Sequence, residues 1–262
     1  MITSVPSKNQ IAKSFSLKAS SYESNARIQK KILSDLIHLL KEALPYSNGL
    51  WADLGCGTGL LEKEIYNQNH SLSARFLCID LAGSVLKHAK RELNGGLFLQ
   101  SDIDRLPVKE NSLSGVIMSS VLQWFTDHRS TLKNIAGNLE DSGYFVFSIF
   151  VNGSFLELLK TREFFNLTNP VNLPDEEFLR EQIESAGLKI HKWNVFNDIE
   201  YFYDASEAVK NFSNIGSSAV SGKRLSRTDL IRFCEYYQQN FSTQFGCPVT
   251  CRAVTGIAVK RF

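Results

Sequence analysis

The spacing of apolar positions changes several times along the chain. From Gln29 to Leu44, residues Ile32, Leu33, Leu36, Ile37, Leu40 and Leu44 recur at steps of three and four. That is a helical stripe, and Pro45 ends it. Leu50–Leu54 is a short apolar run closing in glycines, which predicts a buried strand. Leu60–Tyr66 reads as a helix, and Ala74–Ile79 as a second strand ending at Asp80. Ser84 predicts the N-cap of a helix running to about Leu93, broken by Asn94-Gly95-Gly96. Leu97–Gln100 and Leu113–Ser119 are a third and a fourth strand, and Thr131–Leu139 is a helix. Ser142-Gly143 then turns into a fifth strand, Tyr144–Phe150.

Strand and helix in alternation call for a parallel sheet covered by helices on both faces. Ligands in such sheets bind beyond the carboxyl ends of the strands, so the residues after each strand carry the functional information. The second half is less regular. Helices are expected at Ser154–Phe165, Asp175–Ala186 (with Gly187 as C-cap), Ala205–Phe212 and Ser226–Asn240, and strands at Lys189–Phe196 and Val249–Val259. Gly216–Arg224 is small and polar and reads as a loop. Nothing divides the chain: residues 1–262 read as one domain, with a helical cap over 1–45, a core over 46–150, and lid helices and last strands over 151–262.

Composition changes the picture little. Of 262 residues, 43% are hydrophobic and 21% charged, which excludes a fibrous or largely disordered chain. A formal charge of +2 argues against a dedicated nucleic-acid binder. Cys56, Cys78, Cys234, Cys247 and Cys251 are scattered, with neither zinc-ligand spacing nor the density of a disulfide framework. The expectation is therefore reduced thiols, no metal and a cytoplasmic protein. Met1–Gln10 lacks the apolar core of a signal peptide, and no apolar run is long enough to span a bilayer.

The sharpest motif is Asp53-Leu54-Gly55-Cys56-Gly57-Thr58-Gly59, three glycines at alternate positions between a strand and a helix. Gly55 permits a tight turn, Gly57 lets the backbone approach a ligand, and Gly59 allows close helix packing. Asp80 ends the next strand, with Leu81 after it, where a carboxylate can accept both hydroxyls of a ribose. Dinucleotide-binding folds share this plan. Three details favour S-adenosyl-L-methionine over NAD: the spacing is GxGxG, Asp53 precedes it by two residues, and a third acid, Asp102, follows the third strand beside Ile103. Asp53 can hold the loop or receive the ligand's ammonium group through water, and Asp102 follows the third strand where an adenine amine would lie. This order of residues predicts an α/β, Rossmann-like class I methyltransferase sheet. Such a sheet is mostly parallel with an antiparallel last strand, N-terminal helices and a helical lid insertion after the fifth strand.

Further residues carry a narrower resemblance. Ile11-Ala12, Phe15, Ala19, Tyr22 and Gln29 precede the glycine motif. Asp80-Leu81, Asp102, Leu106-Pro107 and Ser119-Ser120-Val121-Leu122-Gln123-Trp124 follow it. Phe147-Ser148, Gly153-Ser154-Phe155-Leu156-Glu157-Leu158, Ile215-Gly216 and Leu225-Ser226-Arg227 complete the set. Together they resemble the malonyl-acyl-carrier-protein O-methyltransferase family of biotin synthesis (BioC) over most of the chain. The chain departs from that family at Asn138–Gly143, where a basic turn is usual, near Ser213-Asn214, and at Thr250-Cys251.

The resemblance implies methyl transfer to the free carboxyl of a malonyl thioester on acyl carrier protein; a monomer is the separate expectation. A carboxylate is already ionised at neutral pH, so no general base is required. The protein must align the reactants and exclude water. Tyr22, as a lid, and Gln123 and Trp124, after the fourth strand, are the candidate positioning residues, and Ser119 joins the cofactor set. Arg162, Lys210, Lys223, Arg224 and Arg227 are the candidate cations for the substrate carboxylate or an acidic carrier. His38, His70, His88 and His128 read as surface residues. The alternatives are a methyltransferase acting on another small molecule such as a quinone precursor or free acid, a nucleotide-dependent oxidoreductase, and an inactive scaffold.

Overall fold

A computed structural model describes residues 7–43, 49–67, 75–93, 95–167, 171, 173–213 and 225–261, and for 19–25 the backbone alone. Seven strands form one sheet in the order β3-β2-β1-β4-β5-β7-β6. They are β1 (Leu50–Leu54), β2 (Arg75–Asp80), β3 (Leu97–Gln100), β4 (Leu113–Ser119), β5 (Leu139–Phe150), β6 (Leu188–Phe202) and β7 (Cys247–Lys260). β1 to β5 pair in parallel, and β7 is antiparallel to both of its neighbours. This is the Rossmann-like class I methyltransferase sheet expected from the motif order.

Nine α-helices are described: α1 (Lys8–Asn25), α2 (Arg27–Ala43), α3 (Leu60–Asn67), α4 (Gly83–Glu92), α5 (His128–Asn138), α6 (Leu156–Phe164), α7 (Glu176–Ser185), α8 (Ala205–Phe212) and α9 (Arg227–Phe241). The inner strands are apolar throughout because both faces of the sheet are covered. On one face Leu33, Leu36, Ile37 and Leu40 of α2 pack against Trp51, Ile117, Val146 and Ile257. On the other, Leu132 and Ile135 of α5 and Leu179 and Ile183 of α7 pack against Val116, Met118, Phe145 and Phe147. Adjacent residues of β4 and β5 thus serve opposite cores, as the two-residue period of a strand requires. A third core lies under the lid, where Phe155, Phe212, Phe233 and Tyr237 close over Phe202, Cys247 and Val249.

Several boundaries differ from expectation. α4 has Ala82 at its N-cap with no side-chain cap, so Ser84 lies inside the first turn. α5 starts at His128, capped by Asp127, whose side chain accepts from the Ser130 N–H. β5 begins at Leu139, because the pairing with β4 resumes there across a register shift between Leu113 and Gly115. Ser142 accommodates this with φ of +64°. β6 and β7 stay paired from Leu188↔Lys260 to Phe202↔Cys247, a longer ribbon than the apolar runs alone predict. His128 is buried, not on the surface. His70 lies outside the described residues.

Candidate active site

The order β3-β2-β1-β4 makes β1 the point where the chain reverses its direction across the sheet, and a cleft opens there beyond the strand ends. The turn after β1 is tied to β2, since the N–H groups of Gly55 and Cys56 both donate to the Ile79 carbonyl, at 2.7 and 3.1 Å. Gly55, Gly57 and Gly59 all have positive φ. Their tasks differ. A Cβ on Gly55 would stand 2.5 Å from Val121, and one on Gly59 2.8 Å from Leu93 of the chain after α4. A Cβ on Gly57 would meet nothing within 4 Å, because it would project into the cleft.

Asp80 orders this turn. One carboxylate oxygen accepts from the Gly57 N–H at 3.0 Å and the other from the Ala82 N–H at 2.8 Å. A carboxylate has about four acceptor positions, so capacity remains toward the cleft. Burial pushes the Asp80 carboxyl up from its ordinary value, partly offset by those backbone donors. Asp53 is 1% exposed, lines the cleft, and has no hydrogen-bond partner for Oδ1 among the described residues. The buried Thr58 hydroxyl, on the same wall, is also unpartnered. Buried polar atoms without partners are rare and costly, and they mark places where a ligand supplies the missing contact.

Leu81, Asp102, Ile103, Ser119, Ser120, Val121, Trp124 and Phe125 continue the walls. Asp102 caps a short 3-10 turn by accepting from the Asp104 N–H. Ser120 stands at φ of +57°, with its N–H donating to Ser148 Oγ. Nine of the ten expected cofactor residues therefore line one cleft: Asp53, Gly55, Cys56, Gly57, Asp80, Leu81, Asp102, Ile103 and Ser119. Gly59, the tenth, lies behind it in a packing position.

The other expectations fare differently. Trp124 lines the cleft and meets Phe15 of α1 edge-to-face at 5.6 Å. Gln123 does not line it: the side chain is buried and donates to the Ser120 carbonyl at 2.7 Å, which staples the turn after β4. Tyr22 falls on α1, but its side chain lies outside the described atoms. Arg162 is half-buried on α6, and Lys210 and Arg227 are exposed on α8 and α9; none of the three lines the cleft. Lys223 and Arg224 lie outside the described residues.

The cation that does line the cleft is Lys8, which no sequence motif marks. Its ammonium contacts both Asp102 oxygens, at 2.6 and 2.8 Å, and Asp104 at 2.6 Å. It also lies 5.8 Å from the Phe125 ring centroid. Burial pushes the Asp102 carboxyl up, but the Lys8 ammonium and the Asp104 N–H carry it below its ordinary value. Ile11, Ala12 and Phe15 follow Lys8 along α1 and form the roof. Ser7 and Gln10 make a reciprocal capping box at the start of this helix, a signal legible as Ser-x-x-Gln.

A parallel sheet with an antiparallel β7, a glycine turn opening on a cleft, and acids at or near the carboxyl ends of three successive strands make up the class I methyltransferase fold, and comparisons with known proteins support an S-adenosylmethionine-dependent methyltransferase. A family profile described as a methyltransferase domain matches residues 52–147. The BioC resemblance of the motifs extends to whole proteins. A Geobacter sulfurreducens protein named malonyl-[acyl-carrier protein] O-methyltransferase is 26% identical, over 97% of this chain and 99% of its own. A Brevibacillus brevis protein of the same name is 28% identical with the same coverage of each. Among solved structures, a putative methyltransferase from Bacillus halodurans superposes with a TM-score of 0.62 at 14% identity, covering 87% of this chain and all of the other. No helix among the described residues is long and apolar enough to cross a membrane.

Proposed function

We propose that the protein methylates the free carboxyl of a malonyl thioester carried by acyl carrier protein, an early step toward the pimeloyl part of biotin, with S-adenosyl-L-methionine as donor. The observation that carries this reading is the full-length match to relatives of that name, joined to a cleft that keeps the cofactor-type acids together. The residues fit the cofactor. Asp80 has acceptor capacity for ribose hydroxyls, Asp53 Oδ1 is an acceptor for an ammonium with no partner among the described residues, and Gly57 leaves room for close approach. Asp102 keeps residual acceptor capacity for an adenine amine beside Lys8.

When bound, the cofactor supplies an electrophilic methyl group on a sulfonium. The protein's own part is positional. The Gly57 and Ala82 amides fix the Asp80 carboxylate. Phe15 and Trp124, in edge contact, wall the cleft against water, which favours reaction of a desolvated carboxylate. No residue has to remove a proton from an acceptor that is already an anion. The protein acts alone as a monomer in the cytoplasm under this reading.

Product mass after incubation with S-adenosylmethionine and malonyl-acyl-carrier protein tests it. A gain of one methyl on the malonyl group is expected. Methylation of free acids but not of the carrier-bound malonyl group would instead favour the small-molecule reading. One observation supports that alternative: none of the described candidate cations Arg162, Lys210 and Arg227 lines the cleft.

A further inference from the structure

Behind the glycine turn lies a second acid that the cofactor reading leaves without a task. Glu62 sits in the first turn of α3 and points its carboxyl inward, within hydrogen-bonding reach of the Asp53 carboxyl. Glu62 Oε2 is buried without a partner, and Glu62 Oε1 accepts from the Cys78 thiol at 3.3 Å. Among the described residues no cation acts on either carboxyl. Independently, Asp53 is almost fully buried on the cleft wall with Oδ1 unpartnered.

We infer that Glu62 is the positioning residue of the amine subsite: it shares one proton with Asp53, so that Asp53 is held with Oδ1 toward the cleft and gives up that proton when an ammonium binds. Two carboxylates in contact inside a protein cannot both ionise without a compensating charge. No described residue supplies one, so without a bound ammonium the pair holds one proton between them. Burial, then the neighbouring charge of Glu62, pushes Asp53 well above the ordinary carboxyl range, and burial also raises Glu62. An ammonium against Asp53 supplies the missing positive charge and weakens the pair's hold on its proton, which leaves to solvent. By linkage, a ligand that expels a proton binds more tightly as pH rises.

The other titratable groups facing the pair do not substitute for it. The Cys56 thiol is pushed up by its hydrogen bond with Cys78 and by burial, so it stays protonated. Cys78 is also raised, as burial and the adjacent carboxylates outweigh its hydrogen bond with Cys56. Asp80, raised by burial, faces the pair from the end of β2, but the ribose side of the ligand meets it. Lys63, next in sequence, reaches Glu92 at 3.2 Å.

This inference rests on the reading that Asp53 takes the cofactor's ammonium, and the test separates the two. S-adenosylhomocysteine, which keeps the amino-acid end but cannot react, is titrated by calorimetry between pH 6.5 and 8.5 in buffers of different ionisation enthalpy. The controls are Glu62→Gln and methylthioadenosine, which has the adenine and ribose but no ammonium. Wild-type affinity for S-adenosylhomocysteine is expected to rise by up to about tenfold per pH unit, with protons released to the buffer, since the slope of log K against pH equals the number of protons expelled. Glu62→Gln can still donate to Asp53 but has no proton to share, so its affinity should change less than about twofold, with no release. Methylthioadenosine should give a flat profile with both proteins, which removes Asp80 as the source. Equal slopes in wild type and Glu62→Gln would overturn the role of Glu62 and leave the cofactor reading standing. A wild type that binds methylthioadenosine as tightly as S-adenosylhomocysteine at every pH would overturn the Asp53 assignment beneath it, and the inference with it.

Discussion

The strand ends of β1 to β4 and the lid over β6 and β7 treat buried polar groups in opposite ways. At the strand ends, Asp53 Oδ1 and the Thr58 hydroxyl are buried without partners, and Gly55, Gly57, Gly59 and Ser120 all stand at positive φ. Under the lid, the polar groups of Tyr237, Glu157 and Thr250 are matched to one another or to backbone. The Tyr237 hydroxyl donates to the Pro248 carbonyl, and Glu157 accepts from both the Thr250 N–H and the Thr250 hydroxyl. Around them the interior is aromatic, with Phe155, Phe212 and Phe233 in contact with further rings. The first region holds unmet hydrogen-bonding capacity of the kind a ligand resolves. The second is held by its own aromatic packing, with Phe155 at φ of +57° inside it, and works as a brace.

If that contrast holds, truncating the brace should cost stability and spare the cofactor subsite. Phe233 is 3% exposed in the lid core. Phe233→Ala should destabilise the fold by about 3–5 kcal/mol, the usual cost of emptying a buried aromatic site. Denaturant unfolding measures this. Cofactor affinity of the folded variant, in low denaturant, should stay within about threefold of wild type. A loss of binding as large as the loss of stability would dissolve the contrast.

Two glycines of one motif sharpen it. Gly55→Ala places a Cβ 2.5 Å from Val121 at a positive φ. Overpacking and left-handed strain together should cost roughly 2–4 kcal/mol of folding stability. Gly57→Val meets no protein atom within 4 Å of its Cβ, so its stability cost is confined to the backbone, about 1–2 kcal/mol, while the side chain obstructs the ligand. Thermal unfolding with and without S-adenosylhomocysteine separates the two: Gly55→Ala should lower the midpoint more, and Gly57→Val should lose more of the ligand-induced rise. Asp80→Ala comes next in size. Loss of its charge-assisted ribose contacts should weaken S-adenosylmethionine by roughly 1.5–3 kcal/mol in calorimetry. Unchanged affinity would remove Asp80 from the subsite.

The same two regions differ in how far their residues announce themselves in the sequence. The three acids of the cleft lie at or just beyond the carboxyl ends of β1, β2 and β3, so locating the strands locates Asp53, Asp80 and Asp102 together. β1 is a short apolar run buried from Trp51 to Leu54, and β2 and β3, less buried toward the sheet edge, are still marked by short apolar runs. What depends on contacts between distant segments is not legible in this way. Lys8 meets Asp102 across 94 residues of sequence, and α1 is polar enough that periodicity says little about where it docks. Gln123 and Trp124 are adjacent in sequence, yet one staples a turn and the other lines the cleft, a division set by the geometry of the 3-10 turn Leu122–Trp124. Arg162, Lys210 and Arg227 stand out by charge alone, and charge does not report which face of a helix meets the site. Glu62 carries no signal, because a glutamate in a helix's first turn is ordinarily a favourable solvent-facing residue.

The smallest expected effect concerns the contact that joins α1 to the strand ends. Lys8 and Asp102 have side chains 42% and 32% exposed, so water screens the pair, and its worth to stability is about 0–1 kcal/mol. Its sign with pH is nonetheless definite. The Asp102 carboxyl is lowered in the folded protein, because the ammonium and the Asp104 N–H outweigh the effect of burial. The contribution is therefore present above the ordinary carboxyl range and lost as pH falls through the lowered value. Lys8 itself is raised, its hydrogen bonds to Asp102 and Asp104 outweighing burial, so it remains charged throughout that window. Lys8→Met keeps much of the aliphatic stem that packs near Phe125 and removes the charge. Amide exchange along α1 should quicken in the variant at pH 7 and low salt, by no more than about fivefold for a contact of this size. The difference from wild type should shrink at high salt and again as pH falls toward the titration of Asp102. An exchange difference that ignores both salt and pH would mean that Ile11 and Phe15, not the ion pair, hold the roof of the cleft in place.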